Sequence, residues 1–64
     1  SLTTREFEVF TMLAEGKSVT EISDILHLSS KTVGAHRTSI MKKLALHNSA
    51  EIVRSALQWD VIKL

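Results

Sequence analysis

Between residues 31 and 43 the chain carries Lys31, Arg37, Lys42 and Lys43 and no acid. Wound as a helix at about 100° per residue, this stretch gathers Lys31, Gly34, Ala35, Thr38 and Lys42 on one side. Such a face has a small centre and basic ends. An ordinary solvated face has no use for the small centre, because Gly inside a helix costs about 0.8–1 kcal/mol relative to Ala. The chemistry it suits is contact with duplex DNA. Small side chains let a helix backbone approach base edges in the major groove, where Ala and Thr methyls can meet thymine methyls. Lys31 and Lys42 at the rims suit phosphates, which fix register. Ser30 and Thr32 stand at the helix start, where hydroxyls and free amides favour an anion. Arg37, on the shoulder of the opposite face, completes the DNA-contacting candidates. Two plainer readings stand beside this one. A cluster of four basic residues also describes a solvated face, and Gly34 and Ala35 could pack against a partner helix.

Other chemistry finds little support. His27, His36 and His47 lie nine and eleven residues apart and form no i, i+4 pair, so no metal site is expected. Glu6, Glu8 and Glu15 are expected on a surface helix face, serving capping and solubility rather than paired acid–base work. There is no Gly-rich phosphate loop and no nucleophile turn, so neither an enzyme nor a cofactor is expected. His36 borders the core face and reads equally as a packed histidine or a phosphate ligand.

The elements that must hold this face are helices. Leu2-Thr3-Thr4-Arg5-Glu6-Phe7 reads as a capping box from Thr3 to Glu6, with Leu2 and Phe7 as a hydrophobic staple. Phe7, Phe10 and Ala14, with Val9 and Leu13 beside them, predict a helix over about 3–15, ended by a left-handed Gly16. Ser18 to Glu21 repeats the box, with Thr20 as a competing cap. Ile22, Ile25 and Leu26 give a short apolar face, and His27 a cation suited to the helix end. Ser29 and Ser30 offer caps to a long helix over about 30–44. In it Val33, Ile40 and Leu44 face the core, with His36, Arg37 and Met41 on the shoulders. Asn48 and Glu51 cap a fourth helix bearing Ile52, Val53, Ala56 and Leu57. The expected fold is therefore all-α, a compact four-helix bundle with a helix-turn-helix at about 19–38. Only Trp59–Leu64 looks strand-like, and it is too short and lacks a partner.

Composition agrees with this outline. The 64 residues are 44% hydrophobic, with no Pro or Cys and two Gly. A chain this short buries only about 60% of its unfolded surface, and without Cys it has neither disulfides nor thiolate zinc as staples. No apolar run approaches the ~20 residues of a membrane span, so no membrane partner is expected. The reading is one small domain over 1–64 of a reducing compartment, placed in the cytoplasm. It begins at Ser1 rather than Met, as a piece of something larger would. The net charge of +1 hides an asymmetry. Arg5 and Lys17 face Glu6, Glu8, Glu15, Glu21 and Asp24 in residues 1–30. Residues 31–64 set Lys31, Arg37, Lys42, Lys43, Arg54 and Lys63 against Glu51 and Asp60. Such a division hints at a polyanion-binding face.

These residues resemble the LuxR/FixJ/NarL-type helix-turn-helix of bacterial transcription regulators. The resemblance rests on Leu2–Glu6, Ala14–Ser18, Glu21-Ile22-Ser23 and Leu28-Ser29-Ser30-Lys31-Thr32-Val33-Gly34-Ala35-His36-Arg37. It continues through Ile40, Lys43-Leu44, Asn48 and Ala50-Glu51, so nearly the whole chain takes part. It implies a four-helix domain behind a receiver or ligand-sensing domain, as in response regulators of two-component systems. It also implies sequence-specific duplex binding by a dimer on two-fold-related half-sites. RNA polymerase is a further partner that such a regulator could meet. Three positions depart from the usual pattern. Gly34 stands where many relatives place a long base-reading residue, Ser49 where an Arg often stands, and Val19 where a polar residue is common.

Val53, Ala56 and Leu57 are the candidate dimer interface, making a weak homodimer through the fourth helix. The tail of Trp59, Val61, Ile62 and Leu64 either folds back on helix 1 or joins that interface. Two other functions remain open at the level of sequence. One is a helical protein-interaction module, the other a σ-factor-like promoter-binding domain, which lacks the Lys31–Arg37 pattern.

Overall fold

A computed structural model of the chain describes residues 1–63. Its four helices are α1 (Thr4–Ala14), α2 (Val19–Leu26), α3 (Ser30–Lys43) and α4 (Ser49–Gln58). No strand occurs among the described residues. α1 packs against both α3 and α4, and α2 packs against α3.

Each helix starts where a side chain takes an amide that the helix cannot satisfy. Thr3 and Glu6 form a reciprocal box on α1, at 3.1 and 2.9 Å. Ser18 and Glu21 repeat it on α2, so Ser18 and not Thr20 is the cap. Ser29 caps α3 by accepting from the Thr32 amide. Asn48 caps α4 by accepting from the Glu51 amide, but the Glu51 carboxylate reaches one residue further, to the His47 amide.

All four helices end on a residue with positive φ. These are Gly16 (93°), His27 (57°), Ala45 (56°) and Asp60 (57°). In each case the next amide folds back onto a carbonyl in the last turn: Lys17 to Met12, Leu28 to Ser23, Leu46 to Met41 and Val61 to Ala56. This is the left-handed stop that satisfies late carbonyls, made here by Gly only once.

The core is Val9, Phe10, Ala14, Ile22, Val33, Ile40, Ile52 and Ala56. Four residues differ from the sequence expectation. Phe7 is 49% exposed, whereas Glu6 is only 5% exposed. The buried stripe of α1 runs through Glu6, Val9, Phe10 and Ala14, and Phe7 lies one residue, about 100°, off it. Glu6 is thus not a surface acid. Ile25 is 48% exposed, because α2 turns Ile22 and Ser23 inward instead. Ala56 is fully buried and takes its place in the core rather than on an exposed interface.

The tail folds back. The Val61 and Ile62 amides both bond the Ala56 carbonyl, and their side chains pack on the core. The Trp59 ring lies 6.2 Å from Phe10, tilted 39°, within the range of favourable aromatic pairs. Leu64, the last residue of the expected tail, lies outside the described residues.

Candidate nucleic-acid interface

The three-residue turn His27-Leu28-Ser29 joins α2 to α3. It is fixed at one end by the left-handed His27 and at the other by the Ser29 cap. Val33 and Ile40 then anchor α3 inward, both fully buried. That leaves Ser30, Lys31, Thr32, Ala35, Thr38 and Lys42 exposed and Gly34 and Arg37 half-buried. Lys31 and Lys42 are eleven residues apart on nearly the same line of the helix. At 1.5 Å per residue they stand about 16 Å apart along the axis, wider than the ~12 Å major groove.

Gly34 is the informative position. A Cβ built on it meets nothing within 4 Å, and its φ is not in the left-handed region. No partner helix among the described residues therefore accounts for its small size. Thr38 donates its hydroxyl to the Gly34 carbonyl at 3.1 Å. Its hydroxyl proton is engaged, so the methyl and the oxygen lone pairs are what it offers outward. Thr32 is partly committed too, since its hydroxyl accepts from Ser29 at 2.9 Å while its amide feeds the cap.

The basic residues are not equivalent. Arg37 donates from Nη2 to Ser49 Oγ at 3.2 Å, reaching from α3 to the first residue of α4. Lys43 is tied to Glu6 at 2.8 Å. Glu6 also accepts from Ser39 Oγ at 2.7 Å. The Lys43 hydrogen bond, followed by those of Ser39 and the Thr3 amide, holds the Glu6 carboxyl down at about 2. The same kind of support lowers Glu21, through the Ser18 amide, and Glu51, through the His47 amide. Sequence reasoning missed Ser39, read Glu6 only as a capping surface acid, and read Ser49 only as a departure from the family pattern. The Glu6–Ser39 and Glu6–Lys43 contacts span 33 and 37 residues, beyond any local pattern. The i, i+4 spacing of Ser39 and Lys43 was the one available signal.

His36 is half-buried. Among the described residues no three His, Asp or Glu side chains come together as a metal site would require. Among the described residues no helix is long and apolar enough to cross a membrane.

A small all-helical domain with a short helix, a tight turn and a longer helix bearing an outward basic face has the build of a helix-turn-helix regulator. Residues 1–56 match the family model described as bacterial regulatory proteins, luxR family. The chain belongs to that family, whose helix-turn-helix binds DNA in transcription regulation. It is 47% identical over 60 residues to the response regulatory protein YgeK of Escherichia coli, covering 94% of this chain and 41% of that protein. It is 44% identical over 62 residues to the oxygen regulatory protein NreC of Staphylococcus aureus, covering 97% of this chain and 29% of that one. The chain thus spans less than half the length of these relatives.

Proposed function

We propose that this chain is the output domain of a response regulator, reading duplex DNA through α3 as the second helix of a unit at about 19–38. The proposal is supported most by Gly34, an interior helical glycine with open space around its missing side chain. Its cost to helix stability has no return inside the chain, whereas a groove floor would reward the close approach. Ala35 and Thr38 face base edges beside it. Lys31 and Lys42 span to phosphates on either side, and Arg37 adds a third cation. Ser30 and Thr32 present the helix start to a phosphate. The setting is the bacterial cytoplasm.

The test is selection of bound duplexes from a random-sequence pool by the wild-type chain and by Ala35→Leu. The bulky side chain should keep helicity and broaden the selected sequences. An unchanged sequence preference would remove this face from base reading.

Assembly is the second part of the proposal. Val53 and Leu57 are half-buried on α4, and with Ala56 in the core they are the remaining interface candidates. A weak homodimer through them matches paired half-sites and strengthens on DNA. Val53→Glu should abolish cooperative binding to a paired site while sparing a single half-site. Equal loss on both, or loss on neither, would contradict it. RNA polymerase is the further partner this role calls for.

A further inference from the structure

We infer that Glu6 of α1 is a positioning residue for DNA recognition: its buried carboxylate grips the C-terminal half of α3 and withdraws Lys43 from the phosphate-contacting set. This rests on the reading of α3 as the groove-facing helix. Glu6 is 95% buried in a chain whose other buried residues, Ser23 apart, are apolar. Its two oxygens accept from three donors. Oε1 takes the Thr3 amide at 2.9 Å and Lys43 Nζ at 2.8 Å, and Oε2 takes Ser39 Oγ at 2.7 Å. The Thr3 bond fixes the start of α1, and the other two fix successive turns of α3. One side chain therefore ties the start of α1 to the last two turns of α3.

The geometry on α3 makes this matter for recognition. Ser39 and Lys43 are four residues apart on a flank of the helix, about 80–120° round from Lys31 by the 100° step. They sit between the outward face of Ala35, Thr38 and Lys42 and the buried line of Val33 and Ile40. A bond on that flank resists rotation of α3 about its own axis, adding directional contacts to the non-directional packing of Val33 and Ile40. Rotation would turn Ala35 and Thr38 away from the groove floor and lift Lys42 from its phosphate. Recognition needs such groups held to about 0.5 Å. The Glu6 carboxylate also pairs the Lys43 charge. Lys42 and Lys43 are neighbours in sequence and alike in charge, yet only Lys42 is left for DNA.

The test compares Lys42→Gln with Lys43→Gln. Binding is measured against salt, on the duplex that the wild-type chain selects from a random pool and on a scrambled duplex of equal length. Lys42→Gln should flatten the salt dependence by about one counterion on both duplexes. Lys43→Gln should leave that slope unchanged and reduce discrimination between the duplexes by about twofold to thirtyfold. Glu6→Gln keeps the shape of the side chain and releases Lys43. It should reduce discrimination likewise and steepen the slope by up to about one. If Glu6→Gln does not fold, the two lysine variants decide the matter. A Lys43→Gln slope that falls by about one with discrimination intact would overturn the inference, because Lys43 would then be an ordinary phosphate contact. Wild-type binding that ignores salt would overturn the DNA reading itself, and this inference with it.

Discussion

Arg37 and Ser49 stand twelve residues apart in sequence and 3.2 Å apart in space, guanidinium to hydroxyl. The bond ties the middle of α3 to the first residue of α4. The Arg37 guanidinium is thereby held at the start of α4. Ser49 occupies one of the five guanidinium donors. Arg37→Met should therefore weaken binding to all duplexes and lower the salt slope by about one. Its stability should change by no more than about 1 kcal/mol, as for an exposed hydrogen bond. A slope equal to wild type would take Arg37 off the DNA.

Gly34 gives a prediction of opposite sign for stability and binding. Because an added methyl meets nothing within 4 Å, Gly34→Ala should raise stability. The gain expected for an interior helix position is about 0.8–1 kcal/mol. That corresponds to roughly 4–8 °C in a thermal melt of a domain this size. Affinity for the selected duplex should fall in the same variant, since the methyl would stand between helix and groove. A variant more stable and equally tight on DNA would free Gly34 of any groove role.

The helix ends offer a test of the backbone. Ala45 is exposed and holds φ 56° to end α3. A left-handed residue with a Cβ costs about 1–2 kcal/mol. Ala45→Gly should relieve part of this, offset by the freedom Gly gains in the unfolded chain, for a net gain of about 0.5 kcal/mol. Gly16→Ala, at φ 93°, should lose stability by comparison. Thermal melts of the two variants side by side would show the contrast, and equal melting points would contradict it.

These stops also mark where the sequence is legible. Capping boxes depend on residue type at a spacing of three, so Thr3–Glu6 and Ser18–Glu21 could be read directly. Gly16 announces its helix end because only Gly is indifferent to positive φ. Ala45 and Asp60 do the same work with ordinary side chains, and nothing local betrays them, while His27 was legible as a helix end but not as a left-handed stop. The outward face of α3 was legible for the same periodic reason as its core line. Glu6 was not. A capping acid is normally solvated, and its burial is decided by Ser39 and Lys43, which arrive only when α3 packs. Phe7 and Ile25 failed in the converse way: apolar residues at helical spacing lie at the edge of a stripe whose centre the partner helices set. Ala56 looked like part of an outward stripe, yet it is fully buried in the core.

Acid should act on the fold through Glu6. Its carboxyl is held at about 2 when folded, well below the ordinary carboxylate range. A lowered folded value contributes stability that is complete above the unfolded value of about 4.3 and lost as pH falls towards 2. Glu21 and Glu51 are lowered as well and add to the same trend. Denaturant unfolding from pH 7 down to pH 2 should show a steady loss for the wild-type chain. Glu6→Gln should be less stable at neutral pH and lose less over that window. A parallel decline in both would mean that Glu6 is not a principal titrating group.

The most direct measurement is the salt dependence of duplex binding by the wild-type chain and by Lys31→Ala, Lys42→Ala and the double variant. On a plot of log affinity against log salt the wild-type chain should fall steeply, as phosphate-bound counterions are released. Each single variant should flatten that line by about one, and the double variant by about two, on selected and scrambled duplexes alike. Lines that coincide for all four proteins would contradict the placement of α3 across the groove.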